Sequence, residues 1–289
     1  MSKTLHITLI FILMLFVCGC GTNIKNVATK DNIHYTCEYT GIERKYTLYL
    51  PEDTKNSTLV MALHGYGGNA DSFARDTKLH ETLVPEGYAV VYVDGIPDPE
   101  DKTSSSGWNS GLKETGNADA EFLSSLAVYL QKEYSLDNKR CVAAGFSNGA
   151  FMTHRLVIDS KGVFTDIVSV AGMMPEYSWK MKPEAARVNV LQISGTKDDV
   201  VPQKRNNTYK YAKAPAIEDV MDYYAASSEL TQQEPYALSA KSQLTEYSSP
   251  SDDHILWEVS VKDGRHSWFE EPYCGFVIND LILEFLQNE

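Results

Sequence analysis

Ser147 stands in Gly145-Phe146-Ser147-Asn148-Gly149, between a strand-like run, Arg140-Cys141-Val142-Ala143-Ala144, and a helix-like run, Ala150-Phe151-Met152-Thr153-His154-Arg155-Leu156. A serine at a sharp strand-to-helix turn has its hydroxyl lifted clear of the backbone, and the flanking glycines let strand and helix approach without Cβ clashes. That is the setting of a nucleophile for acyl transfer. A serine hydroxyl is a weak nucleophile unaided, so a base, a group to orient the base and donors for the developing oxyanion are needed elsewhere.

Three other segments offer these groups, each just after a run of strand character. Asp198 follows Val190-Leu191-Gln192-Ile193 through Ser194-Gly195-Thr196-Lys197, with Asp199 beside it as a competitor. His266 lies in Gly264-Arg265-His266-Ser267-Trp268, and His64-Gly65-Tyr66-Gly67-Gly68 follows the first apolar run. In open α/β sheets reactive groups gather at the carboxyl ends of the strands. The order Ser, Asp, His is that of the α/β-hydrolases. In that arrangement His266 takes the Ser147 proton and returns it to the leaving alcohol, while the aspartate fixes the imidazole tautomer. The backbone N–H groups of Tyr66 and Asn148 are the candidate oxyanion donors. His254 precedes its strand and belongs at the wrong sheet edge, and His154 sits on the helix after the serine as a structural residue. His64 reads as a loop-shaping residue at the substrate side. Trp108 and Trp268 serve either as an aromatic wall for substrate or as core. Asp252-Asp253-His254 reads as a solvated acidic turn and not as a metal site.

The elements that must position these groups follow from periodicity. Residues 33–39 and 44–50 alternate and read as an antiparallel amino-terminal hairpin. Residues 57–63, 88–93, 164–170 and 188–193 are apolar runs of buried-strand type. Helical spacing covers 70–84, 118–134 with Asn117 as its cap, 217–224 and 277–286. A final strand spans 255–261. Strand and helix alternating at this cadence predict a mainly parallel central sheet with helices on both faces. Two long polar stretches, 95–117 and 202–248, read as a functional loop and as surface insertion.

The chain has 289 residues with 43% hydrophobic and 22% charged side chains, enough for one domain with a sizeable core, and no linker or repeat divides it. The net charge of -13 argues against nucleic acid as a partner, since phosphate contacts require clustered Lys and Arg. Residues 7–17 form an apolar run too short for a membrane span, which needs about 20 residues, but suited to a signal peptide. It ends in Val17-Cys18-Gly19-Cys20, which resembles the bacterial lipoprotein box. We therefore expect a signal over 1–19, lipidation at Cys20, a tether over 20–32 and a catalytic domain over 33–289. The product would be an exported cell-surface or periplasmic protein, held to the membrane by lipid only; the alternative is an ordinary secretory signal and a secreted, extracellular protein. Cys141 reads as a buried inert thiol, and Cys37 and Cys274 could pair in an oxidising compartment.

Taken in order, Leu63-His64-Gly65-Tyr66-Gly67-Gly68-Asn69, Val93-Asp94-Gly95, Trp108-Asn109, Gly145-Phe146-Ser147-Asn148-Gly149, Gly195-Thr196-Lys197-Asp198 with Val201-Pro202, and His266-Ser267-Trp268 resemble the secreted polyhydroxybutyrate depolymerase-like esterases. That group adjoins the feruloyl and acetylxylan esterases of carbohydrate esterase family 1. The resemblance spans roughly residues 46–268. It implies an α/β-hydrolase fold, no metal or organic cofactor, and Ser147, Asp198 and His266 as a triad, with Asp198 favoured over Asp199. Two departures stand out: Ala118-Asp119 replaces the acidic pair usual before the core helix, and Gly264-Arg265 replaces the usual Gly-Gly before the histidine. The implied substrates are feruloyl or acetyl esters of plant cell-wall polysaccharide, or short hydroxyalkanoate esters. A serine peptidase on the same fold and a non-catalytic glycan-binding surface lipoprotein are the alternatives.

Overall fold

The computed structural model describes residues 23–112, 115, 117–203 and 214–288. In chain order the elements are β1 (Ile24–Thr29), β2 (His34–Tyr39), β3 (Ile42–Tyr49), β4 (Leu59–Leu63), α1 (Ala70–Thr77), α2 (Leu79–Leu83), β5 (Ala89–Val93), α3 (Asp119–Glu133), β6 (Cys141–Phe146) and α4 (Asn148–Asp159). They continue with β7 (Asp166–Val170), α5 (Glu176–Met181), β8 (Asn189–Gly195), α6 (Ile217–Ser227), β9 (Gln232–Ala237), β10 (Ser242–Ser249), β11 (Asp252–Val261), α7 (Glu271–Cys274) and α8 (Ile278–Gln287).

The strands form one sheet in the order β1-β2-β3-β5-β4-β6-β7-β8-β11-β10-β9. Its centre, from β5 through β4, β6, β7 and β8 to β11, is parallel, and both flanks are antiparallel. Strands buried on both faces read as unbroken apolar runs, and β4 and β5 are buried at every position. Alternate side chains serve two cores. Leu59, Met61 and Leu63 meet Phe122 and Leu126 of α3, Phe151 of α4 and Tyr224 of α6 on one face. Val60, Ala62, Val90 and Tyr92 meet Phe73 of α1, Leu79 and Leu83 of α2, and Ile282 and Phe285 of α8 on the other. Fully burying a leucine or phenylalanine contributes about 1.5–3 kcal/mol, so the sheet and both helix layers depend on one another.

Several expectations need correction. Within the tether expected over 20–32, Ile24–Thr29 form a strand that pairs antiparallel with β2, Ile24 opposite Tyr39. The helix expected over 70–84 is broken at Lys78, whose left-handed backbone (φ 51°) ends α1 and starts α2. Asn117 does not cap α3; Ala118 stands there, and the Asn117 amide donates instead to Pro97 O at 3.2 Å. The surface insertion expected after 202 extends the sheet through β9 and β10. His254 lies inside β11, where its Nδ1 meets Asp252 Oδ1 at 2.6 Å. Cys37 and Cys274 are free thiols. They belong to cores on opposite faces of the sheet, which no disulfide can bridge.

His154 of α4 is fully buried and belongs to the core, as its helical position suggests. Its Nδ1 accepts from the Tyr224 hydroxyl at 3.1 Å, and its Nε2 faces Ser169 Oγ at 3.2 Å and Gln192 Oε1 at 3.4 Å. Burial pushes its pKa down to about 4, with the Gln192 hydrogen bond acting the other way. Below pH 6.5 the unfolded chain therefore binds a proton that the folded chain refuses until about pH 4. The stability from neutral His154 is complete above pH 6.5 and is lost as pH falls towards 4. The expected loss is on the order of 3 kcal/mol, read from urea unfolding at pH 7 and pH 4. His154→Gln cannot titrate and should lose that part of the slope; an unchanged slope would contradict the assignment.

Candidate active site

The sheet brings the proposed reactive residues to one edge. β6 ends at Phe146, and Ser147 follows with φ 52° and ψ -116°, a conformation few residues other than glycine adopt. Such strain costs about 1–3 kcal/mol and persists only where the surroundings enforce it. Here they do: Ser147 N–H donates to Val170 O at 3.0 Å, and Phe151 N–H donates to Ser147 O at 3.0 Å. The glycines are sterically required. A Cβ on Gly145 would lie 2.3 Å from Gly149 C, and one on Gly149 would lie 2.1 Å from Leu63 O.

β8 and β11 lie side by side and parallel, in register to the last pair, Gly195 opposite Val261. The loops that follow them are laced together. Thr196 N–H donates to Val261 O and Lys197 N–H to Gly264 O, both at 2.9 Å, and Lys197 Nζ pairs with Asp263 at 2.7 Å. This lacing sets Asp198 beside His266. Asp198 Oδ2 meets His266 Nδ1 at 2.8 Å, and His266 Nε2 meets Ser147 Oγ at 2.9 Å. The other Asp198 oxygen accepts the Val200 and Val201 N–H groups at 2.9 and 2.7 Å. A carboxylate only accepts, so Nδ1 carries the imidazole proton and Nε2 is left to accept from the serine hydroxyl. The Asp198 side chain is 1% exposed and that of His266 16%, so the relay is shielded while its reactive end stays open. Asp198, and not its neighbour Asp199, makes the contact.

The Ser147 hydroxyl opens into a cavity of about 560 Å³. Trp108, Phe146, Phe151, Ile96 and Leu112 supply an apolar wall, and Asp98, Ser104 and Asn117 border it from the 95–117 loop. Tyr66 is 63% exposed at the mouth, and its hydroxyl accepts from Ser105 N–H at 2.9 Å. Among the described residues no protein acceptor takes the Tyr66 or Asn148 backbone N–H, which keeps both free for an oxyanion.

Two side chains expected to touch substrate are placed elsewhere. His64 is 1% exposed; its Nε2 accepts from Gly95 N–H at 2.9 Å, so its Nδ1–H donates to Gly65 O at 2.7 Å. Burial lowers its pKa, in keeping with this neutral form, and its role is to shape the loop. Trp268 packs edge-on against Phe73 with ring centroids 5.4 Å apart and borders a separate groove with Arg265 and Tyr273. Trp108 does border the cavity but is only 5% exposed. Cys20 lies outside the described residues.

A buried network escaped the sequence reading. Asp119 accepts from Arg44 Nη2 at 2.9 Å and from Asn109 N–H at 2.8 Å. Arg155 Nη1 holds Asn109 O and Oδ1, both at 2.8 Å, and Asn109 Nδ2 reaches Thr115 O and Asn117 O at 3.0 Å. These bonds pin the long loop onto α3 and α4. The only local signal was an aspartate, Asp119, at the head of a helix.

The serine hydrolase (FSH1) family model matches residues 54–220. The chain is 26% identical over 162 residues to the bifunctional acetylxylan esterase/xylanase of Neocallimastix patriciarum, an alignment covering 56% of this chain and 22% of that protein. It is 29% identical over 123 residues to feruloyl esterase B of Thermothelomyces thermophilus, covering 40% of each. The chain thus spans less than half the length of these relatives. The acetyl xylan esterase from Aspergillus awamori superposes with a TM-score of 0.60 at 13% identity, over 85% of this chain and 94% of that one, a likeness of fold.

Proposed function

The chain belongs to the FSH1 serine hydrolase family, and from that premise we propose that it is an exported serine esterase acting through Ser147, His266 and Asp198. The observation that carries this reading is the unbroken hydrogen-bond chain from Asp198 through His266 to a strained serine facing a cavity. In the reaction Ser147 Oγ attacks the acyl carbonyl carbon as His266 Nε2 takes its proton. The carbonyl oxygen becomes an oxyanion held by the Tyr66 and Asn148 N–H groups. Collapse breaks the ester bond, and the alcohol leaves with the proton from His266, giving an acyl-enzyme. Water then attacks, with His266 again as base, and the carboxylic acid departs from a restored Ser147.

The acyl groups proposed are feruloyl or acetyl, carried on plant cell-wall polysaccharide, with short hydroxyalkanoate esters next. The aromatic and aliphatic wall of the cavity supports an aryl acyl group, and the names of the relatives support both. Export and lipidation at Cys20 rest on the amino-terminal sequence alone.

The test uses p-nitrophenyl acetate, methyl ferulate and an amide analogue, before and after reaction with a fluorophosphonate. Turnover of both esters, little of the amide, and loss of activity on covalent labelling of Ser147 are expected. Turnover that survives stoichiometric labelling would overturn the proposal, and amide cleavage at ester-like rates would favour a peptidase. Palmitate-analogue label on the exported chain, lost in Cys20→Ala, tests the anchor; label retained in that variant would exclude Cys20.

A further inference from the structure

The two proposed oxyanion donors sit on separate segments. Tyr66 follows β4, and Asn148 opens α4. The pairing of β4 with β6 ends at Leu63 opposite Gly145, so the ladder does not reach either donor. An oxyanion hole works only if its donors are fixed in advance about 2.7–3.1 Å from the place the charge will occupy. Something else must set their spacing.

Residues 105–110 bridge the two segments. On one side Gly67 N–H donates to Ser106 O at 2.7 Å, Ser106 Oγ donates to Gly68 O at 2.5 Å, and Ser105 N–H donates to the Tyr66 hydroxyl at 2.9 Å. On the other side Asn148 Nδ2 donates to Ser110 Oγ at 2.9 Å. Trp108 alone reaches both. Its indole Nε1–H donates to His64 O at 2.9 Å, two residues before the Tyr66 donor, and its backbone N–H donates to Asn148 Oδ1 at 2.7 Å. Both bonds are buried. With 5% of its surface exposed, Trp108 offers a ligand little area, while both its N–H groups are spent on the donor segments.

We propose that Trp108 is a positioning residue that braces the oxyanion hole, holding the Tyr66 and Asn148 donors at their working separation. This rests on the reading of those two N–H groups as the oxyanion donors. Losing the indole N–H frees His64 O and lets the 64–66 turn relax. An interaction that matters only when charge develops on the carbonyl oxygen appears in kcat and not in KM.

The variants are Trp108→Phe, which keeps a ring but removes the indole donor, and Asn148→Ala, which removes the acceptor of the Trp108 backbone. Rates are counted per site titrated with a fluorophosphonate, so unfolded protein does not enter. For each variant kcat should fall about 10- to 100-fold with KM within about 3-fold, as a displaced or lost donor requires. Benzeneboronic acid, which becomes tetrahedral on the serine, should bind more weakly by the same factor as the fall in kcat/KM. An unchanged kcat with raised KM would make Trp108 a substrate wall and overturn the brace. A fallen kcat with unaltered boronate affinity would overturn it equally. Neither result touches the esterase reading, which fails if ester turnover survives labelling of Ser147 or stays within about 10-fold of wild type in Ser147→Ala.

Discussion

Ser147→Ala is expected to lower kcat for ester hydrolysis by about 10⁴–10⁶-fold, leaving only the catalysis that binding and the oxyanion donors supply. The size of the effect follows from geometry: Ser147 Oγ is the group that His266 Nε2 faces at 2.9 Å, and among the described residues no other hydroxyl meets that nitrogen. Stability should move little, since one partly exposed hydrogen bond is lost and alanine must adopt the same backbone, φ 52°. Ser147→Gly separates the two properties further. Glycine tolerates that conformation, so relief of strain on the order of 1 kcal/mol should raise the urea midpoint while activity disappears. Activity within about 10-fold of wild type in either variant would remove Ser147 from the mechanism. A lower midpoint in the glycine variant would mean that the elbow is not strained.

Asp198→Asn should cost about 10⁴ in kcat, the scale known for a triad whose acid becomes an amide. The amide oxygen can still accept the Val200 and Val201 N–H groups, so the loop keeps its course. Its NH₂ group, however, would face His266 Nδ1 as a donor. The imidazole must then carry its proton on Nε2, where it cannot take the serine proton. The loss should therefore appear in steady-state kcat, with near-wild-type thermal unfolding. A loss below about 10-fold would mean that another carboxylate, Asp199 being adjacent, orients the histidine. Asp199→Asn in the same assay would then show the larger defect.

The parallel core was legible because buried central strands must be apolar at nearly every position, as β4, β5 and β6 are. The flanks were not. β9 carries Gln232, Gln233, Glu234 and Pro235 and is exposed throughout, so nothing in its composition marks a strand; its pairing with β10 makes it one. β1 likewise buries only Ile24 fully and owes its form to β2. The division of residues 70–84 at Lys78 also escaped, because its residue type gives no sign of a left-handed turn.

Ser147 and His266 could be named from the chain because each constraint on them is local, while the choice of Asp198 over Asp199 rested on the family resemblance. The elbow needs glycines at fixed offsets from the serine, and each partner sits a few residues beyond a recognisable strand. Side chains whose roles depend on facing segments were beyond that reach. Trp108 and Trp268 look alike in sequence. One is held by His64 O and Asn148 at the cavity, and the other lies against Phe73 beside a different groove. His64 is spent on Gly95 and Gly65, and Cys37 and Cys274 are parted by the sheet. Spacing along the chain specifies which groups stand at the strand ends. Only the packing of residues 95–112 across those ends decides which of them face the cavity.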